Sequence, residues 1–256
     1  MTAVTAWDGT LTVTGGTFTK NSGVAVCNNG GTVTISGGEI YENTGSGAGN
    51  RYGTIYIREG ANIHDNAQWG VYNSNEGSKV VMTGGSLRNN KSGGIFAYGV
   101  VMQTNNFYKS RVTVSGGEIR DNGGRGVQCG IAEISGGVIC GNVGGVYATD
   151  VTVNGGEIIG NQGTDNGGGI YVYKGNRGGT DPNYTYFRSH LSVTGGVIKD
   201  NRANKLGNDI YVEAPLLGDY NSTSVSIAAA AAMKEETLGA GWASIRRISS
   251  ISGIFA

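Results

Sequence analysis

The chain has 256 residues, 48 of them Gly and only 2 Pro, and its 19 basic and 19 acidic residues give a formal net charge of zero. This balance argues against a nucleic-acid-binding protein, because such proteins need a basic face that neutralises phosphates. No run of about 18 apolar residues is present, and the start lacks a basic stretch followed by an apolar run, so we expect neither membrane insertion nor a secretory signal in this segment.

One motif recurs along the chain: Gly-Gly, any residue, a large apolar residue, two further residues and Asn. Seven copies begin at Gly15, Gly37, Gly84, Gly116, Gly136, Gly155 and Gly195, and an eighth, with Ala61 as its second residue, begins at Gly60. The closing asparagines are Asn21, Asn43, Asn66, Asn90, Asn122, Asn142, Asn161 and Asn201. Their spacing indicates a repeat of about two dozen residues with two insertions, as in solenoid proteins.

The first unit contains the elements that later units repeat. The alternating segment 11–13 predicts a strand with one buried face, and Gly15–Gly16 is expected to turn the chain into a second short strand around Phe18. Asn21 turns the chain again before a third strand. Three such strands cannot bury an apolar face alone, so each should pair in parallel with its counterpart in the next unit.

The predicted fold is therefore an all-β, right-handed parallel β-helix solenoid, with three strands per coil and about eight to ten coils. Glycine suits turns that need positive φ or close backbone approach. Asparagine is the non-glycine residue that best tolerates the left-handed region, and its amide can bond to the next asparagine in the stack. We interpret the asparagines as a structural ladder rather than as metal ligands or catalytic groups.

Three segments resemble a known group of repeats. "GGTFTKN" (15–21) is similar to the Phe-x-x-Asn repeats, and "GGIFA" (93–97) and "GGIYV" (168–172) to the Gly-Gly-Ile repeats, of polymorphic outer-membrane and related adhesin-like β-helix proteins of bacterial surfaces. The resemblance covers roughly residues 11–213. It implies an extracellular or surface-displayed protein that serves adhesion, with glycans or surface proteins of a host or microbe as partners.

An outward aromatic column is predicted on the third strands, at the residue after each inward aliphatic side chain. Its expected members are Ala25, Tyr56, Tyr72, Phe96, Gln128, Tyr147, Tyr171 and Tyr211. Such a column is either a stabilising stack or a platform for sugar rings.

The two insertions, 98–111 and 173–190, both lie between a third strand and the next first strand, so we expect them to leave the same edge of the helix. Loops that depart from the repeat often carry specificity, although these loops could equally cover an apolar patch. The predicted ligand site is a saddle between them. Its floor would be Gln128, Tyr147 and Tyr171, and its walls would contribute Tyr108, Lys109, Tyr184, Tyr186 and Arg188.

Catalysis would need clustered carboxylates, and adjacent coils offer Glu42 with Asp65, or Glu118 with Asp121 and Glu133. These positions are also typical of a solvated face, and neither histidine, His64 or His190, has a matching nucleophile. We therefore expect no enzyme, cofactor or metal site. The alternatives are a polysaccharide lyase or glycoside hydrolase of β-helix type, and a structural spacer or stalk.

The remaining features concern the cysteines and the ends of the stack. Cys27, Cys129 and Cys140 are interpreted as small buried side chains, with one disulfide or a metal site as alternatives. We assign 1–217 to the β-helix and 218–256 to a capping segment. Within that segment, residues 228–239 predict a short helix over the last coil, and 242–256 could form a strand pair or part of the cap.

Overall fold

The computed structural model describes residues 2–75, 77–98, 110–173, 189–213 and 223–227. Within these ranges all regular secondary structure is β, and every strand pairing is parallel. The repeats stack as a parallel β-helix solenoid, which confirms the predicted fold class. Nine coils are present in the described residues, each contributing a strand to two long sheets. The hand of the winding stays a prediction.

The strands of the described residues form three sheets. Sheet A consists of β1 (Val4–Trp7), β3 (Val26–Asn29), β5 (Ala48–Arg51), β8 (Trp69–Ser74), β10 (Gly93–Tyr98), β12 (Arg125–Gln128), β14 (Val146–Ala148), β17 (Ile170–Val172) and β20 (Ile210–Val212). Sheet B consists of β2 (Thr10–Thr19), β4 (Thr32–Tyr41), β6 (Thr54–Ile57), β7 (Asn62–His64), β9 (Lys79–Arg88), β11 (Arg111–Arg120), β13 (Ile131–Cys140), β15 (Asp150–Ile159), β18 (Ser189–Lys199) and β21 (Thr223–Ile227). Sheet C is the short pair β16 (Gln162–Gly163) and β19 (Arg202–Ala203).

The predicted first and second strands of most units are one continuous strand of sheet B. The Gly-Gly pair forms a β-bulge that bends this strand. The bulge is seen in the register between β11 and β13, which shifts on both sides of Ser115. The degenerate unit differs. There the strand is interrupted between β6 and β7, and positive φ falls on Gly60 rather than on Ala61.

The two glycines of each pair serve different needs. A Cβ added to the first, as at Gly37, would overlap the carbonyl oxygen of Thr14 in the preceding coil. The second adopts positive φ, as at Gly38 with φ 93°. Gly15 has no contact of this kind, because no coil precedes it in the described stack. The pair therefore allows both a left-handed backbone and close stacking of coils.

The interior of the coil is a continuous apolar core. The large residue of the motif is fully buried in each coil after the first, at Ile40, Ile63, Leu87, Ile119, Ile139, Ile158 and Ile198. Each such side chain contributes about 1.5–3 kcal/mol through burial of apolar surface. The equivalent Phe18 is only partly buried, since it packs against the core from the first coil.

The asparagine ladder is confirmed along all eight predicted residues. Each Nδ2 donates to the Oδ1 of the asparagine one coil later, at 2.8–3.1 Å, in the order Asn21, Asn43, Asn66, Asn90, Asn122, Asn142, Asn161, Asn201. All but Asn21 are buried. The ladder ends at Asp209, whose Oδ1 accepts from the Nδ2 of Asn201 at 2.8 Å.

The expectation that asparagine occupies the left-handed turn position was wrong. Positive φ falls on the residue before each ladder asparagine: Lys20, Glu42, Asp65, Asn89, Asp121, Gly141, Gly160 and Asp200. The asparagine itself is selected for its hydrogen bonds. This also explains several carboxylates on the coil surface, because Asp, like Asn, tolerates that conformation better than most residues.

A second set of buried asparagines, not predicted, holds the opposite corner of the early coils. The Nδ2 of Asn73 donates to the carbonyl oxygen of Gly53 at 2.9 Å, in the preceding coil's turn from sheet A to sheet B, and to that of Lys79 at 3.0 Å, at the start of β9 in its own coil. Asn28 and Asn50 make the corresponding bonds. Later coils have other residues here, so no chain-long motif marked the position.

The β-helix continues past residue 217, because β21 extends sheet B from β18 as far as Ile227. The predicted capping helix at 228–239 and the segment 242–256 lie outside the described residues. In the described part of the chain, no helical segment has the length and hydrophobicity that spanning a lipid bilayer requires.

Candidate functional site

The outward column on sheet A differs from the prediction at its start. Its pairing order is Cys27, Gly49, Tyr72, Phe96, Gln128, Tyr147, Tyr171, Tyr211. The assignments of Ala25 and Tyr56 to this column were wrong. Ala25 is buried, and Tyr56 lies in sheet B between Thr34 and Val81. The sequence "TIYI" alternates like a third strand, and alternation alone does not tell which sheet a strand joins.

Gln128 divides the aromatic side chains into two groups. In the first, the Phe96 ring stacks on Tyr72 with ring centroids 5.3 Å apart, and it also contacts Trp69 and Tyr98. The second group is Tyr147, Tyr171, Tyr173 and Tyr211, with centroids of contacting rings 4.3–5.3 Å apart.

A shallow cleft that opens to solvent lies beside the second group. One side is formed by Arg125 and the segment 143–147, the other by the loop 163–167, and Tyr171 completes the lining. The loop exists because eight residues separate Asn161 from Ile170, whereas only three separate Asn142 from Val146. The longer turn after Asn161 projects beside the shorter turn after Asn142, and the space between the two turns is the cleft.

The half-buried side chain of Arg125 contacts two neighbouring members of the outward column, Gln128 and Tyr147. Its guanidinium carbon lies 3.5 Å from the centroid of the Tyr147 ring, close enough for a cation–π interaction. Its Nη1 donates to Oε1 of Gln128 at 3.0 Å. Burial lowers the pKa of Arg125 from its ordinary value. Arg125 therefore binds the amide of Gln128, a residue predicted for the floor of the ligand site.

Tyr147 is enclosed on both faces of its ring. Arg125 lies over the ring, and the Tyr173 ring stacks nearly parallel to it, with centroids 4.3 Å apart. One face cannot hold both groups at these distances, so they occupy opposite faces. Burial raises the pKa of Tyr147. Tyr147 consequently positions Arg125 and offers no open face for a sugar ring in this conformation.

Tyr171 has a different environment. Its ring is nearly perpendicular to those of Tyr147 and Tyr211, so neither neighbour stacks flat against it. Its hydroxyl donates to Oε2 of Glu213 at 3.3 Å. Burial, assisted by the nearby Glu213 carboxylate, raises the pKa of Tyr171. Tyr171 is thus a neutral, half-buried aromatic wall of the cleft.

The loop 163–167 is held by the next coil. Asp165 forms an ion pair with Lys205, whose Nζ lies 2.7 Å from Oδ1 of Asp165. Oδ1 of Asn166 accepts from the backbone N–H of Leu206 at 3.1 Å. Gly167 donates its N–H to the carbonyl oxygen of Leu206 at 2.9 Å. These contacts fix the polar side of the cleft before any ligand enters.

The structure thus brings Gln128, Tyr147 and Tyr171 together on adjacent coils, as the sequence predicted. The wall residues Tyr108, Lys109, Tyr184, Tyr186 and Arg188 lie outside the described residues. Sequence reasoning missed Arg125, Asp165 and Asn166. The extended Asn-to-strand interval after Asn161 was a visible signal for the last two, whereas nothing in the repeat pattern singled out Arg125.

Three of the carboxylates considered for catalysis are engaged by arginines. Glu118 and Asp121 both pair with Arg120, at 3.3 and 2.7 Å. Glu133 lies in β13, before the Gly-Gly bend. There it contacts Arg111 and accepts a hydrogen bond from Oγ1 of Thr113 at 3.2 Å. These three carboxylates therefore form two separate ion-pair groups.

Both histidines lie beside carboxylates on sheet B. The His64 ring stacks on Tyr41, and its two nitrogens lie 2.6 Å from Oδ2 of Asp65 and 3.0 Å from Oε2 of Glu39. Glu42 is exposed and occupies a left-handed turn position. His190 is the register partner of Asp150, a half-buried carboxyl whose pKa is raised by burial.

All three cysteines are free thiols, so the disulfide alternative was wrong. Cys129 is buried as expected, whereas Cys27 and Cys140 are half-buried. Burial raises the pKa of each thiol, most strongly at Cys129. Within the described ranges, no three His, Cys, Asp or Glu side chains converge as metal ligands.

The chain is thus a parallel β-helix solenoid with a cleft of arginine, tyrosine and loop polar groups on one side. Comparison with protein-family models, with curated protein sequences and with solved structures finds no match.

Proposed function

We propose that this chain is a non-catalytic binding module that recognises glycans in the cleft between Arg125 and the loop 163–167. The observation that carries the proposal is the cleft itself, where an aromatic wall at Tyr171 faces fixed polar groups at Asp165 and Asn166. An apolar ring with a few convergent polar groups is the usual composition of a small-ligand site. It suits sugars, which present both C–H faces and hydroxyls.

The openness of the cleft favours weak binding to each copy. A shallow site removes only part of a ligand from water, so single-site affinity should be low. Many copies displayed on one surface would raise the apparent affinity by avidity. This agrees with the extracellular or cell-surface location and the adhesive role that the resemblance to surface β-helix repeats implies.

The non-catalytic part of the proposal is supported by the distribution of carboxylates. Hydrolysis of a glycosidic bond needs two carboxyl groups about 5–10 Å apart around one bond. The only carboxylate lining the cleft among the described residues is Asp165, and it is paired with Lys205. Incubation with pectins, alginates and glycosaminoglycans should release no reducing ends or unsaturated products. Release that is lost on Asp121→Asn or Glu118→Gln would overturn this part.

A glycan array followed by titration of the best ligand tests the binding proposal. Tyr171→Ala should weaken binding about twofold to tenfold, since an aromatic contact typically contributes about 0.5–1.5 kcal/mol. Tyr72→Ala is the matched control, because Tyr72 belongs to the same column but lies outside the cleft. Equal binding by both variants, with unchanged melting temperatures, would exclude the cleft. Absence of any array ligand would favour a spacer or stalk.

A further inference from the structure

Arg125 carries more hydrogen-bonding capacity than its neighbours use. A guanidinium has five N–H donors, and the structure gives Arg125 one hydrogen bond, to Gln128. Among the residues that the structure describes, no carboxylate lies within ion-pair distance of it. A half-buried arginine is normally paired, since an uncompensated charge removed from water is costly.

The other charges near the cleft leave this arginine available. Asp165 lies near enough to favour the charged form of Arg125 without forming an ion pair with it, and it is already paired with Lys205 at 2.7 Å. Glu213 interacts with the hydroxyl of Tyr171 and is not part of the cleft lining. The Tyr147 ring contacts the guanidinium through a cation–π interaction, which does not neutralise its charge, and Tyr173 packs on the opposite face of that ring. The fixed cation therefore faces a solvent-open cleft.

We infer that the ligand of the cleft is an acidic glycan, and that Arg125 binds the carboxylate of a uronic-acid-type sugar while Tyr171 contacts its ring. This inference rests on the proposed glycan-binding function. A planar guanidinium matches a planar carboxylate through two parallel N–H···O bonds, a geometry that the point charge of lysine does not reproduce. A sulfate ester offers the same charge without that planar match.

The test uses the full chain and three probes: an oligogalacturonate, the same oligosaccharide after carboxyl reduction, and a sulfated oligosaccharide of equal length. Titration calorimetry should show binding of the oligogalacturonate that falls about tenfold to a hundredfold on carboxyl reduction, the range for loss of charge-assisted hydrogen bonds. The reduced probe tests the inference on the unaltered protein. Arg125→Gln should produce a similar loss, and Arg125→Lys should recover only part of it.

Arg58→Gln is the matched control, because the Arg58 guanidinium also lies over a tyrosine ring, that of Tyr56, at 5.6 Å, but far from the cleft. It should leave all titrations unchanged. Equal binding of native and carboxyl-reduced probes would overturn the acidic ligand while leaving glycan binding intact. Arg125-dependent binding of only the sulfated probe would overturn the carboxylate assignment. Failure of every probe and every array glycan would overturn the proposed function itself.

Discussion

Each ladder asparagine uses its side chain almost completely, and this explains its recurrence at the residue scale. Oδ1 of Asn122 accepts from the backbone N–H and Nδ2 of Asn90, at 2.9 and 3.1 Å. Its Nδ2 donates to Oδ1 of Asn142 at 2.8 Å and to the carbonyl oxygen of Leu87 at 3.1 Å. No other side chain of this size combines an oxygen that accepts two hydrogen bonds with an NH2 group that donates two.

Asn122→Leu should therefore lower the free energy of unfolding by about 3–5 kcal/mol, because it leaves several buried partners unsatisfied. Asn154→Leu makes the same chemical change at an exposed position and should alter stability by less than about 0.5 kcal/mol. Urea denaturation followed by circular dichroism measures both. Equal stability of the two variants would contradict the ladder's role.

The left-handed position before each ladder asparagine gives a second prediction. Glu42 is exposed and has φ 51°. Glu42→Val should cost about 1–2 kcal/mol, since a β-branched side chain clashes in this region, whereas Glu42→Gly should be nearly neutral. Thermal melts of the pair compare the two directly. If valine were tolerated as well as glycine, backbone conformation would not be what selects residue 42.

At the scale of the element, the Gly-Gly bend determines how closely sheet B strands stack. Gly37→Ala should destabilise by about 1–3 kcal/mol, because the new methyl group meets the backbone of Thr14. Gly15→Ala occupies the same place in the motif but has open space around it, and it should be neutral or slightly stabilising. Matching losses in chemical denaturation would mean that local propensity, not coil contact, explains the first glycine.

Strand β15 provides a prediction about pH. Burial raises the pKa of Asp150, partly offset by His190 and Arg111, so the native state disfavours the charged form. Stability is therefore lost as pH rises from the unfolded pKa, about 3.9, through the native pKa. Asp150→Asn should raise the melting temperature at pH 7, and the gain should vanish near pH 3. A gain of equal size at both pH values would show that another effect of the substitution dominates.

Much of the fold was predictable because every coil needs the same buried side chains, glycine bend and asparagine, so these residues recur at regular spacing. The spacing of Asn21 to Asn201 gave the coil length and the ladder, and the alternating segments gave the parallel pairing. The site was only partly predictable. Tyr56 was assigned to the wrong sheet because both sheets share the same alternation. Arg125 was not predicted, because it contacts Tyr147 of the next coil through the conformation of its side chain. No local sequence pattern encodes that conformation.

At the scale of the whole molecule, the stack converts residues distant in sequence into neighbours. Arg125, Tyr147 and Tyr171 come from three successive coils, and the loop 163–167 is braced by the coil after them. Because contacts between coils hold the loop 163–167 in place, the site is largely preformed. This preformed cleft is therefore the proposed binding site of the ligand.

Hydrogen exchange of the chain with and without the best array glycan shows where the ligand binds. Bound ligand should slow exchange in peptides covering 143–147 and 163–171, while peptides from the aromatic group around Phe96 stay unchanged. Protection centred on 69–98 instead, or no change under conditions where titration shows saturation, would contradict the assignment of the cleft as the binding site.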